Sequence, residues 1–327
     1  MLPSMARVFV TGATGYLGRA IAGALRARGD DVVALTRDPE RARDLAAAGA
    51  TVVAGDPTVA GPWQDHVAGC DAVINLAGEP IDARRWNAQF RQRLLDSRVD
   101  ATRFVVDAIA AAPTGQRPRV LVSASGIDYY AFSIDLPGDD ADGGDDVFDE
   151  ASPRGDGFMA RMCRDWEDEA LRAGTVGCRV VCMRTGIVIG PGSRALAKMA
   201  RPFRWFVGGR VGSGRQWLSW VHLDDAVGAY LFAVDTPALA GPVNLVSRPV
   251  RQAAFARALG RALRRPCWLP VPAGAVKLAV GPLAEYVLRG RAAVPAKLEA
   301  AGYALIWTDV DAAVAASLGR PVRASGE

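Results

Sequence analysis

The chain has 327 residues, 50% hydrophobic, 23% charged and 7% aromatic, which excludes disorder, a collagen-like fibre and a disulfide-stapled miniprotein. A formal charge of +4, from 39 basic and 35 acidic residues, is too slight to point to a nucleic-acid or membrane surface. The only two histidines, His66 and His222, cannot build a multi-histidine metal site, and no metal is expected. Five cysteines, an odd number, fit a reducing compartment. Cys178 and Cys182 would stand ~13 Å apart in a strand, beyond the ~7 Å limit for a disulfide, and are expected in the core. The N-terminus lacks a signal-peptide core, and Lys277 and Glu285 interrupt the longest apolar stretch near the C-terminus. A cytoplasmic protein is therefore expected, without a membrane or nucleic-acid partner.

Short apolar runs alternate with helical patterns through the first half, the signature of βαβ units around a parallel sheet. Strands are predicted at 7–11, 31–35, 50–54, 72–76, 119–123 and 179–183. After the first strand, Leu17, Ile21 and Leu25 form one apolar stripe with Ala24 beside them, and the helix stops at Gly29. Longer helices are predicted at about 88–112 and 158–173. Residues 135–150 hold eight acids among Gly and Pro without EF-hand spacing, which predicts a solvated surface insertion. Past Gly190 the alternation fails, and Gly208, Gly209, Gly212 and Gly214 mark a loop-rich stretch. A further strand at 243–246 is expected to return to the sheet.

Between the first strand and helix, Thr11-Gly12-Ala13-Thr14-Gly15-Tyr16-Leu17-Gly18 spaces its glycines G-x-x-G-x-x-G. Gly12 permits the tight turn, Gly15 lets a pyrophosphate approach the backbone, and Gly18 lets the helix lie against the strand. The helix N-terminus then faces the phosphates, so the whole run from Gly12 through Thr14, Tyr16 and Leu17 to Gly18 is expected to hold a dinucleotide. The second strand ends in Thr36-Arg37 rather than in an acid. An acid there would bind the adenosine ribose, whereas Arg37 pairs with a 2′-phosphate, helped by the Thr36 hydroxyl and Arg41, and NADP(H) is favoured. Asp56, before Pro57, is a candidate for the adenine amino group and equally a turn former.

The phosphate loop, Asn75-Leu76-Ala77-Gly78-Glu79, Asp96-Ser97-Arg98-Val99-Asp100-Ala101-Thr102, Arg184-Thr185-Gly186-Ile187-Val188-Ile189-Gly190-Pro191 and Trp220-Val221-His222-Leu223-Asp224-Asp225 occur in a familiar order. Together they resemble the atypical extended short-chain dehydrogenase/reductases, in particular the epimerase-family proteins described as NAD(P)-dependent epimerase/dehydratases. The likeness runs over nearly the whole chain. It includes Cys163-Arg164-Asp165-Trp166-Glu167, Gly212-Ser213-Gly214-Arg215-Gln216-Trp217, Pro295-Ala296-Lys297-Leu298 and Ala301-Gly302-Tyr303. It implies an α/β, Rossmann-type doubly wound parallel sheet over 1–190 and a smaller C-terminal substrate lobe over 191–327, with a segment near 215–247 returning to the sheet. It also implies that Leu76 and Ala77 lie against the ribose and pyrophosphate, that Arg98 reaches the cofactor, and that Ile187 borders the nicotinamide. The segment His222, Asp224, Asp225 is expected to hydrogen-bond structurally.

Members of this superfamily usually transfer a proton through a Ser or Thr after the fifth strand and a Tyr-x-x-x-Lys pair on the next helix. Ser125 matches the first element. Counting back from Trp166-Glu167 puts Met159 and Cys163 at the Tyr and Lys positions, and neither does that work. Tyr130, or Tyr129, remains as a phenolic donor, with Ser125 to orient a carbonyl. Cys163 is a weaker candidate as a nucleophile, having no histidine near it in sequence. A Ser125, His222, Asp224 hydrolase triad lacks a G-x-S-x-G elbow. Arg215, Gln216, Trp217 and Trp220 are candidates for a substrate pocket. The resulting expectation is an NADP(H)-binding, epimerase-like oxidoreductase acting on a small-molecule substrate, with oligomeric state open. A noncatalytic NADP(H) sensor and a nucleotide-sugar epimerase are the alternatives.

Overall fold

A computed structural model describes residues 5–132 and 146–320. Most of the acidic run at 135–150 therefore lies outside the described residues. The chain opens with β1 (Arg7–Thr11), α1 (Tyr16–Arg28), β2 (Asp31–Thr36), the short α2 (Arg43–Ala47), β3 (Thr51–Ala54) and β4 (Ala72–Asn75). It continues through α3 (Ala88–Ala111), β5 (Val120–Gly126), the two-residue β6 (Val147–Phe148), α4 (Phe158–Leu171) and β7 (Arg179–Thr185). Then follow β8 (Ile187–Ile189), α5 (Arg194–Arg204), β9 (Trp217–Leu218), β10 (Trp220–His222), α6 (Leu223–Asp235) and β11 (Gly241–Leu245). The remainder holds β12 (Val250–Arg251), α7 (Gln252–Leu263), α8 (Ala273–Val280), α9 (Ala284–Leu288), β13 (Ala292–Ala293), α10 (Ala296–Ala300) and α11 (Val310–Ser317).

Seven strands form one parallel sheet in the order β11-β7-β5-β4-β1-β2-β3. This is a Rossmann-like α/β fold. The sequence reads its inner strands as continuous apolar runs because helices cover both faces. One face packs on α1 and α6 through Ile21, Leu25, Ala229 and Tyr230; the other packs on α3 and α4 through Val105, Ile109 and Ala170. Strand order reverses between β1 and β4, with β2 and β3 added on one side and β5, β7 and β11 on the other, and in an open parallel sheet the crevice at such a switch point, outside the carboxyl ends of the strands, is where ligands bind.

Register adds what periodicity does not show. Thr11 stands beside Asn75, and Asn75 beside Ser123. Two residues along, Ser125 stands beside Arg184, which pairs on its other side with Asn244. Two polar rows therefore cross an otherwise apolar sheet near its carboxyl edge.

The loop-rich reading after Gly190 misses α5, whose Leu196, Ala200 and Phe203 pack against Phe255 and Leu259 of α7 and Val314 of α11. Its start is fixed by Ser193, whose hydroxyl accepts from the Leu196 N–H at 3.3 Å. Cys178 and Cys182 are buried free thiols. Among the described residues, no helix is long and apolar enough to cross a membrane.

Candidate functional site

The glycine turn fits a phosphate because side chains have no room there. A Cβ on Gly18 would stand 2.2 Å from the Gly12 carbonyl oxygen, and Gly12, at φ 64°, would put one 2.8 Å from the Leu76 carbonyl. Gly15 caps α1 without a side-chain partner, and the first turn carries no acid, so its N–H groups and positive dipole end are uncompensated. The Thr11 hydroxyl accepts from Leu76 N–H at 3.1 Å and Ala77 N–H at 3.2 Å and donates to Asn75 Oδ1 at 2.6 Å. That bond set draws the chain leaving β4 against the turn, so that both segments border the crevice at the carboxyl edge where the strand order reverses. Thr14 lies at the turn, Leu17 packs on the core, and Tyr16 donates to the Pro191 carbonyl at 3.1 Å. Burial, then the charge of Asp224, pushes the Tyr16 phenol up to about 12.

At the other end of β2, Arg37 is exposed and makes no ion pair among the described residues. The Thr36 hydroxyl, by contrast, is engaged locally, donating to Asp38 O at 3.0 Å and accepting from its N–H. Asp56 accepts from the N–H and hydroxyl of Thr58 at 2.9 and 2.7 Å, the geometry of a turn former. Arg41 gives its carbonyl to Arg19.

The opposite half of the cleft, past β4 and β5, contains Arg98. Its side chain lies against Gly78, where a Cβ would meet Cγ at 3.3 Å, and its guanidinium lies 5.3 Å from the Trp166 ring. Nη1 donates to the Leu94 carbonyl at 3.0 Å; Nε is buried without a partner, and Nη2 has no acceptor among the described residues. Burial lowers the Arg98 pKa, opposed by the nearby Cys163, Glu79 and Asp128. Cys163 is itself buried, and that burial pushes its thiol up to about 12, far from a reactive thiolate. Met159, at the expected tyrosine position, belongs to an apolar cluster with Trp86 and Phe90.

Ser125 and Tyr130 are joined by Glu167 and Arg184, two residues of the family motifs whose role at the site the sequence does not show. The Ser125 hydroxyl donates to Glu167 Oε1 at 2.6 Å, and Glu167 is held in two-point contact by Arg184, at 2.8 and 2.7 Å. Arg184 Nη1 donates to the Tyr130 hydroxyl at 2.9 Å, which donates to Asn244 Oδ1 at 2.7 Å. Tyr130 is wholly buried, and desolvation, partly offset by Arg184, pushes its phenol up to about 12. The phenol expected as a donor toward substrate thus spends its hydroxyl inside the protein, as does the serine. Tyr129 lies under the same guanidinium, 3.4 Å from its ring centre. The missed signal was spacing: Met159, Cys163 and Glu167 recur every four residues on one face of α4, so the first ionised group on that stripe comes one turn after the usual lysine position.

Ile187 lies outside the large sheet, in β8 paired to β10. His222 caps α6, its Nδ1 accepting from Asp224 N–H at 3.2 Å, and burial lowers its pKa. Asp225 accepts from the N–H groups of Ile306 and Trp307. Both are structural engagements, as expected. Of the pocket candidates, Trp220 is wholly buried and Gln216 donates to the carbonyls of Val211 and Val287.

Reversal point, glycine cradle and uncapped helix define a Rossmann-like protein of the nicotinamide-dinucleotide-binding class. The family model described as NAD dependent epimerase/dehydratase family matches residues 8–245, and a domain of unknown function (DUF1731) matches 271–317. The chain belongs to the NAD dependent epimerase/dehydratase family. It is 38% identical over 304 residues to the Epimerase family protein SDR39U1 homolog, chloroplastic, of Arabidopsis thaliana, covering 92% of this chain and 83% of that one. The crystal structure of human epimerase family protein SDR39U1 (isoform2) with NADPH superposes with a TM-score of 0.80 at 32% identity, over 94% of this chain and 98% of that one. A nucleoside-diphosphate sugar epimerase from Corynebacterium glutamicum superposes with a TM-score of 0.72 at 30% identity, over 97% of this chain and 59% of that one.

Proposed function

We propose that the chain is an NADP(H)-dependent oxidoreductase for a small polar carbonyl or alcohol, with Arg98 supplying the charged group that the missing Tyr-x-x-x-Lys pair supplies elsewhere. The glycine cradle, which added Cβ atoms would fill, fits a pyrophosphate, and Arg37, exposed and without an ion pair among the described residues, fits a 2′-phosphate. A human relative at 32% identity was solved with NADPH, which supports the same choice. When bound, the dinucleotide supplies or accepts a hydride.

The observation that carries the reading is the guanidinium of Arg98, buried between the chain past β4 and the middle of α4, beside Trp166, with no acceptor for Nη2 among the described residues. An N–H donor held there stabilises developing negative charge on a carbonyl oxygen without reorganising. Ser125 and Tyr130, engaged with Glu167, Arg184 and Asn244, serve as struts behind the cleft. The proton on the product oxygen comes from water.

NADPH oxidation is to be measured against a panel of aldehydes, ketones and quinones, with the wild type, Arg98→Met and Arg98→Lys. Loss of an oxyanion donor is worth about 10²–10³ in turnover, so Arg98→Met should fall by that factor while NADPH affinity stays nearly level. Tight NADPH binding with no oxidation across the panel would overturn this reading. It would favour a noncatalytic NADP(H) sensor, which the buried, high-pKa Cys163 and Tyr130 also suit.

A further inference from the structure

The charge of +4 averages over a strongly uneven distribution. No acid occurs between Glu169 and Asp224, a stretch with nine basic residues, or between Asp235 and Glu285, which holds seven. The fold brings parts of these stretches together where α5 and α7 end, because both helices pack on the cluster that includes Phe203 and Leu259. One cleft there is lined by Arg204, Leu263, Arg265, Leu318 and Arg320. A neighbouring cleft is lined by Arg257, Gly260, Arg261, Arg264, Arg265 and Cys267. Arg261 pairs with Asp311, whereas Arg201, Arg204, Arg257, Arg264 and Arg265 meet no carboxylate among the described residues.

Beside these arginines stands an apolar ridge. Trp205 is 72% exposed, Phe206 53%, Val207 44%, Trp268 65% and Leu269 41%. The ridge is built, since the Trp268 indole donates to the Phe206 carbonyl at 2.9 Å and the N–H groups of Trp268 and Leu269 both donate to Gly208 O. Phe206 is held outward at φ 62°, a region bulky side chains rarely adopt. Arg265, which lines both clefts, lies 4.4 Å from the Phe206 ring centre and joins ridge to arginines.

We propose that this face docks on a bilayer surface containing anionic phospholipid, the ridge entering the interface and the arginine-lined clefts receiving headgroup phosphates. Indole and phenyl groups beside arginines match the layered chemistry of that interface. Charge complementarity selects an anionic surface, and a second copy would set arginines against arginines. A nucleic acid would leave Val207 and Leu269 in water. The net charge of +4 conceals this uneven distribution.

The test is cosedimentation of the full chain with phosphatidylcholine vesicles, with and without phosphatidylglycerol. Binding should require phosphatidylglycerol and weaken with salt. Removing an arginine near such a surface costs about fivefold, so Arg204→Glu with Arg265→Glu should weaken binding at least ~25-fold. Phe206→Ser with Trp268→Ser should weaken it separately and reduce the blue shift of tryptophan emission on binding, leaving only the part that comes from Trp205. All four sites are on the surface, and thermal melting checks that the variants fold. Equal binding to both vesicles, or to neither, overturns the proposal. So does binding to duplex DNA without binding to vesicles, or self-association that Phe206→Ser abolishes without any vesicle binding.

Discussion

Replacing Arg184 by Met removes the centre of the buried network behind the cleft. The Arg184 and Glu167 side chains are 3% and 6% exposed, and their two-point contact at 2.8 and 2.7 Å places both charges out of water. The variant leaves the Glu167 carboxylate with only the Ser125 hydroxyl, and deprives the Tyr130 hydroxyl of a donor while it keeps Asn244. Breaking a buried pair from one side costs about 3–5 kcal/mol, a large part of the ~5–15 kcal/mol that holds a typical domain. Urea denaturation at neutral pH should register that loss as an earlier midpoint at unchanged slope. The deficit also has a pH signature. An unpaired buried carboxylate has a raised folded pKa, so the variant regains stability relative to wild type as pH falls through that value, levelling off below the ordinary glutamate value of about 4.3. Adding Glu167→Gln removes the stranded charge, and the double variant should be more stable at neutral pH than Arg184→Met alone. A loss under about 1 kcal/mol for Arg184→Met, or a deficit that does not change with pH, would refute a desolvated structural pair.

Gly18→Ala, whose Cβ would stand 2.2 Å from Gly12 O, should raise the NADPH dissociation constant at least about tenfold in a fluorescence titration, by displacing one charge-assisted contact. Gly23→Ala, on the same helix with nothing near its added Cβ, should leave binding unchanged and stabilise by about 0.5–1 kcal/mol. Arg37→Asp should cost NADPH affinity about 10- to 100-fold and NADH affinity much less; equal wild-type affinity for the two cofactors would end the 2′-phosphate argument. His222 has a folded pKa below the ordinary imidazole value, so the unfolded chain takes up the proton first and stability falls as pH drops through about 6.5. His222→Asn keeps an acceptor for the cap of α6 and should lack that fall; parallel melting curves across pH would contradict this assignment.

The glycine spacing, the apolar runs of β1, β2 and β4 and the stripe of α1 are local patterns, and they are sufficient for the sheet, the direction of its strands and the place of the phosphate turn. The same reading passed over α5, because its apolar positions are few and gain their meaning only against α7 and α11. It also placed Ser125 and Tyr130 at a reactive centre, since residue type and position along β5 suit that chemistry. Their partners follow from tertiary structure. Register sets Ser125 beside Arg184 and Arg184 beside Asn244, and the docking of α4 on the sheet brings Glu167 to both Ser125 and Arg184. Residue types and short spacings determine which chemistry a chain can carry. Whether a hydroxyl faces a cleft or a buried carboxylate is decided by strand register and helix packing between distant segments, where desolvation makes an unpartnered charge too costly to leave alone.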